Sequence, residues 1–349
     1  MLKMLHASGI SGAQTDWIRV PLDLFTILQR RCVVKNFVIA VSCMVAVLAF
    51  NSPALADSYP TKTITYQIPF NPGGQSDLEA RRQQPLLEKD LGVKVVIQYK
   101  PGGGGSVGWA NMVNKKPNGY FISGINIPHI VLQPLARGQA GYQTEQLEPI
   151  ALFQATPIGL AVLKTSRFKN LRDLIGYAKK NPGAITCGGS GTWSGHHIAH
   201  LQFQKLAGIE MTYIPSKGAA PSVASFLGGH VQALWANSND LFQHKDKIRV
   251  LGFGTEAPFP PMPEVLTFKS QGFNLLASID RGAGAPPGTP AAIIKRLETA
   301  FLSIANDPKI KAKMLQDGFV PIAMDAAQSR AYIMEKVKEW APVVKEFKK

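Results

Sequence analysis

Three glycine-rich turns carry most of the chemistry that the sequence offers. They are NPGGQSD at 71–77, PGGGGSVG at 101–108 and GGSGTWSGHH at 188–197. Each follows a stretch with strand character and precedes one with helix character. In an open α/β sheet that is where the ligand crevice lies. A glycine lacks Cβ, so backbone N–H groups can come close to an anion. A helix N-terminus adds free N–H donors and about half a positive charge. Three such turns in one chain point to an anion held largely by backbone, directly or through ordered water. Gly74 and Gly105 are the positions where bulk should be least tolerated. Trp193 stands amid Gly, Ser and Thr and reads as exposed at the cleft, whereas Trp109 and Trp235 read as core.

Sharper chemistries fail on particular residues. Gly103-x-Gly105-x-x-Gly108 matches the dinucleotide fingerprint in form, but that mechanism needs an acidic residue about 20 positions on to hold the ribose. Residues 101–144 contain neither Asp nor Glu. No phosphate-binding G-x-x-x-x-G-K-[ST] loop occurs. His196 and His200 stand four apart, as in a zinc protease helix, yet His197 replaces the general-base glutamate. They read as helix-capping or cleft histidines. No G-x-S-x-G elbow surrounds Ser190 or Ser194. The expectation is a binding protein and not an enzyme, with no catalytic residues, no cofactor and no metal.

The elements that must position these turns alternate. Strands are expected at 63–70, 93–99, 119–123, 149–155, 158–163, 184–187, 211–215, 231–236 and 248–254. Helices are expected from a cap at Ser76 or Asp77 to Leu91, with a kink at Pro85, and at 107–115, 129–137, 170–181, 195–207, 219–228, 290–305, 307–317 and 326–347. This alternation predicts an α/β fold with a mainly parallel sheet flanked by helices. No linker divides the chain, so a second domain must be an insertion entered and left by crossing segments at 150–164 and 275–286. The predicted division is 57–158 with 284–349 as one domain and 159–283 as the other, the ligand cleft lying between them.

Composition sets the class. The chain has 349 residues, 45% hydrophobic and 17% charged, which excludes a disordered or fibrous protein. The formal net charge is +15, which favours encounter with anions. No basic helix or aromatic–basic strand motif accompanies that charge, so nucleic acid is not expected. Residues 37–50 form an apolar run too short for a membrane span. Arg30, Arg31 and Lys35 precede the run and Ala54-Leu55-Ala56 follows it, the order of a signal peptide. Residues 1–56 are therefore expected to be removed, with the mature chain starting near Asp57 in the periplasm. Cys32 and Cys43 would leave with them, so Cys187 would remain without a disulfide partner.

The motifs also resemble a known family. YPTKTITYQIPFNPGGQSD (59–77) is similar to the mature start of the Bug/TctC family, periplasmic substrate-binding proteins of tripartite tricarboxylate transporters. The loop KPGGGGSVG (100–108), the turn at Pro117, Gly119 and Tyr120, and GGSGTWSGHH follow in the family's order. So do IPSKGAAPSVASFLGGHVQALWAN (214–237) and GAPPGTP (284–290). The resemblance implies a two-domain periplasmic binding protein fold closing on a small organic mono-, di- or tricarboxylate. Transporter membrane subunits would be the partners, and the protein would be a monomer. The alternative is a module of the same fold that feeds a two-component sensor kinase. The ligand-binding residues expected from the turns and the resemblance together are Phe70, Gly74, Gln75, Ser76, Gly104, Gly105, Asn126, Thr192, Trp193, Ser194, His197, Asn237 and Arg281. The sequence departs from the family pattern at Ser216, Ala236, Asp280 and Arg281. Arg281 is the expected specificity residue, since its guanidinium can meet a second ligand carboxylate in a bidentate pair.

Overall fold

Strand β1 (Ile64–Ile68) buries Ile64, Tyr66 and Ile68, and its β-branched and aromatic residues suit a sheet covered by helices. The computed structural model describes residues 59–348, so the expected leader at 1–56 lies outside the described residues. Helix α1 (Gln75–Leu91) follows β1, then β2 (Val95–Tyr99), α2 (Ser106–Val113), β3 (Phe121–Ile127) and α3 (His129–Arg137). A long strand β4 (Glu148–Leu163) leads to α4 (Leu171–Lys180), β5 (Thr186–Ser190), α5 (Gly195–Ala207), β6 (Thr212–Ser216), α6 (Ala219–Leu227) and β7 (Ala233–Asn237). The chain continues through α7 (Ser238–Gln243), β8 (Ile248–Phe253) and β9 (Ser278–Ala285). It closes with α8 (Ala291–Asn306), α9 (Pro308–Gln316), β10 (Val320–Met324) and α10 (Ala326–Phe347).

The strands join in the order β2-β1-β3-β9-β4-β7-β5-β6, with β8 and β10 also pairing β4. Parallel ladders form the two flanks, β2-β1-β3 on one side and β7-β5-β6 on the other. Antiparallel pairing is confined to the crossing strands β4 and β9 and the strands that meet them. The architecture is the α/β fold of sheet and flanking helices that the alternating pattern anticipates. Tyr66, Phe153 and Phe301 pack together in one core cluster, with Phe153 stacked on Phe301 at 5.6 Å. Phe203, Trp235 and Phe268 anchor another.

Several local expectations change. The two strands expected at 149–155 and 158–163 are one continuous strand, β4. Its first half pairs with β9 and β10 and its second with β7 and β8. Pro157 sits at that exchange of partners, a place that tolerates a residue without an N–H. Strands β9 and β10 and helix α7 were not evident, because SIDRGAGA and VPIAM lack a strong alternating pattern. Helix α1 starts at Gln75 with Gly74 as its cap, not Ser76 or Asp77. Asp77 lies in the first turn instead, where its carboxylate accepts the Gly73 N–H at 2.8 Å.

Candidate functional site

The N-termini of α1 and α6 line the same cavity. Gly74 caps α1 with extended backbone and Gly218 caps α6, and no side chain caps either helix. The N–H groups of Gln75 and Ser76 in α1 and of Ala219 and Ala220 in α6, with the positive ends of the helix dipoles, therefore border a shared space, whereas Pro221 has no N–H and the Asp77 N–H is bonded to the Gly74 carbonyl at 3.0 Å. Gly218 has φ +142°, a conformation that disfavours any side chain, and a Cβ there would lie 3.8 Å from Phe70 Cβ. The α6 turn thus closes over the turn that follows β1. The half-open space they line has a volume of about 30 Å³, room for about two water molecules.

The central sheet forms another wall. Asn126 on β3, Arg281 on β9 and Gln154 on β4 are direct cross-strand neighbours. All three are buried, with Arg281 4% exposed. Nη1 of Arg281 donates to Thr156 Oγ1 and to the Ile279 carbonyl at 3.1 Å, and Nη2 donates to Asn237 Oδ1 at 3.2 Å. Burial lowers the Arg281 pKa to about 10, while Asp240, Asp280 and Glu79 pull it upward. The guanidinium therefore stays charged at neutral pH.

Two histidines complete the wall. His196 lies with Nδ1 accepting the Ser190 N–H at 3.1 Å and 3.0 Å from Ser190 Oγ. Burial first, and Arg281 second, lower its pKa to about 3. His129 packs edge-on against Phe70 at 5.7 Å. Burial holds its pKa well below the usual histidine range, helped by His196 and Arg281. Both rings are neutral at physiological pH. His129 Nδ1, His196 Nε2, Gln75 Oε1 and Arg281 Nε are buried without protein partners. Buried polar atoms are normally paired, so this group is poised for ligand or water. Gln75 Nε2 and Asn237 Nδ2 bind Asp240 at 2.6 and 2.9 Å. Asn126 Nδ2 donates to Ser76 Oγ at 3.1 Å.

Seven of the residues expected at the site line this cavity: Phe70, Gly74, Gln75, Ser76, Asn126, Asn237 and Arg281. The other six lie beside it, in and around a seam between the loop after β2 and the loop after β5. A Cβ on Gly104 would lie 2.3 Å from Gln133 Nε2 and 3.1 Å from the Thr192 carbonyl oxygen. Gly105 has φ +103°, and a Cβ there would lie 2.4 Å from the Trp109 ring. Its N–H is already taken by the Gly102 carbonyl at 2.9 Å. Packing therefore requires glycine at 105, and its own N–H is held within the loop.

Thr192 and Trp193 give their carbonyls to Gln133. Trp193 is partly buried against the α3 cluster, not exposed in the cavity lining. Ser194 caps α5 by accepting the His197 N–H at 3.2 Å. His197 packs on Tyr213 with ring centroids 4.7 Å apart.

The sequence pattern missed His129, Ser190, Ile279 and residues 218–221 as lining groups, and His196, read as a capping or cleft histidine, does line the cavity. The last had a usable signal, since Lys217-Gly218 stands between a strand and a helix like the richer turns. His129 sits in an apolar run with no motif around it. His200 is apart from the site, accepting from Trp235 Nε1 and lying 3.2 Å from the Met211 carbonyl. Among the described residues, no group of three His, Cys, Asp or Glu side chains could hold a metal ion.

The chain matches the family model "Tripartite tricarboxylate transporter family receptor", TctC, over residues 80–348. A UPF0065 protein of Cupriavidus necator is 26% identical over 321 residues, covering 90% of this chain and 97% of that protein. Protein BugT of Bordetella pertussis is 27% identical over 311 residues, covering 88% of this chain and 95% of BugT. The solved periplasmic binding protein BugD superposes with a TM-score of 0.78 at 25% identity, covering 82% of this chain and 98% of BugD. A match over residues 80–348, most of the chain, places this protein in the tripartite tricarboxylate transporter receptor family, TctC.

Proposed function

We propose that this protein is an exported solute-binding protein that captures a small organic carboxylate and presents it to transporter membrane subunits. The observation that carries the reading is the pair of helix N-termini, α1 and α6, that line one half-open cavity without side-chain caps. A carboxylate there replaces the missing caps, receives several N–H bonds and gains from both dipoles. The two halves, 57–158 with 284–349 and 159–283, form the jaws, and crossing strands β4 and β9 join them. The signal-peptide order at 30–56 supports export with cleavage near Ala56, and a monomer suits the role. No helix among the described residues is long and apolar enough to cross a membrane.

A thermal-shift screen of mono-, di- and tricarboxylates tests the reading, because ligand binding to the native state raises its melting point. At least one acid should raise it in a saturable way, and Gly74→Val should abolish the shift. A protein that responds only to uncharged or cationic solutes would overturn the proposal.

A further inference from the structure

The cavity lining carries a single charge. Among the described residues, Arg281 is the only charged side chain in it, since His129 and His196 are neutral and no Asp or Glu lines it. A guanidinium has five N–H donors in a fixed fork. Three of those of Arg281 go to neutral acceptors, Thr156 Oγ1, the Ile279 carbonyl and Asn237 Oδ1. Nε is buried and unpartnered, and Nη2 keeps a second N–H. Those two nitrogens form an edge that matches the two oxygens of a carboxylate.

The nearby acids are engaged elsewhere. Asp240 is held by Gln75 and Asn237, Glu79 by Arg82 and Gln83, and Asp280 by Tyr332 and Ser278. No carboxylate among the described residues makes an ion pair with Arg281 within 4.0 Å.

We infer that Arg281 makes this site selective for a ligand with two anionic groups and no ammonium group. The inference rests on the carboxylate reading above. One carboxylate meets the N-termini of α1 and α6, and the second meets the Nε/Nη2 edge of Arg281. An amino substituent would face a guanidinium and two positive helix ends, with no acid in the lining to receive it. Like-charge juxtaposition of that kind is a strong device against the wrong ligand.

Calorimetry on the full mature protein tests this. The α,ω-dicarboxylates from malonate to adipate are titrated first. The tightest is then compared with the monocarboxylate of equal chain length and with its α-amino derivative. The dicarboxylate should bind at least about tenfold tighter than either, the increment expected of a charged hydrogen-bonded pair. Arg281→Met should lose that preference, and Arg281→Lys should keep part of it, with circular dichroism confirming a folded protein for each. The wild-type comparison stands even where a variant does not fold. Equal binding of the mono- and dicarboxylate, or tight binding of the amino derivative, would overturn the selector while leaving the carboxylate cleft intact. Failure of this series together with the mono- and tricarboxylates of the thermal-shift screen would overturn both.

Discussion

Gln133 donates its side-chain amide to the main-chain carbonyl of Thr192 at 2.9 Å, joining helix α3 to the loop that follows β5. The same nitrogen reaches the Trp193 carbonyl at 3.0 Å, and Arg137 Nη2 donates to Thr192 Oγ1 at 2.9 Å. Trp193 has φ +56°, the only positive φ at a non-glycine among the described residues. That conformation costs about 1–2 kcal/mol. The loop is held in place across the seam beside the cavity by these bonds.

Gln133→Leu should therefore weaken ligand retention without touching the cavity lining. Two lost hydrogen bonds, each worth about 1 kcal/mol, correspond to roughly a tenfold or greater rise in Kd. The change should lie mainly in a faster off-rate, measurable by stopped-flow fluorescence. An unchanged off-rate would show that the seam does not gate release.

Ligand should change tryptophan emission through Trp193. Trp109 and Trp235 are fully buried in their cores, whereas Trp193 lies in the seam. Trp193→Phe should remove most of the signal in a titration that calorimetry shows still saturates. A signal that survives would place the ligand-coupled motion elsewhere.

Gly74→Val and Gly105→Val should separate binding from folding. Gly74 has φ −85°, and a Cβ there meets only the Asn71 carbonyl oxygen, at 3.6 Å. Valine fits that backbone, so the fold should survive while the side chain fills the cavity and abolishes binding. At Gly105 a side chain combines positive φ with a clash against Trp109, a cost of about 3 kcal/mol or more. Circular dichroism melts with parallel calorimetry would distinguish the two. A Gly105→Val protein as stable as wild type would contradict the packing found here.

Acid should destabilise the protein through its buried histidines. Burial lowers the pKa of His196 and His200 to about 3 and that of His197 to about 4, against 6.5 when exposed. Below pH 6.5 the unfolded chain takes up protons that the folded chain refuses, so stability falls as pH drops from about 6.5 toward about 3. Glu79 opposes this in part, since burial raises its pKa to about 6 and the folded state protonates first there. His200 uses both ring nitrogens, so a proton on Nδ1 would break its bond from Trp235. His200→Gln should flatten the slope of stability between pH 6 and 4 by about 1.4 kcal/mol per pH unit. Urea titrations across that range would show it, and an unchanged slope would remove His200 from the acid response.

The sequence by itself determined the local elements and the turns between them. Helices α3 and α5 fall at 129–137 and 195–207, as their patterns predict, because the signals are written in neighbouring residues. Ser194 caps the start of α5 and Gly208, at φ +59°, ends it. The PGG turn before α1 likewise announced the helix start that lines the cavity. Tertiary structure decided which turns converge. The single glycine at 218 joins the cavity, while the richer turn at 101–108 lies in the seam beside it. It also decided what Arg281 meets. Asn126 and Gln154 become its cross-strand neighbours only through the order β3-β9-β4. Such pairing depends on contacts across more than a hundred residues, which no local periodicity encodes. Burial by those same contacts keeps His129 and His196 neutral and the guanidinium as the one charge in the cavity lining.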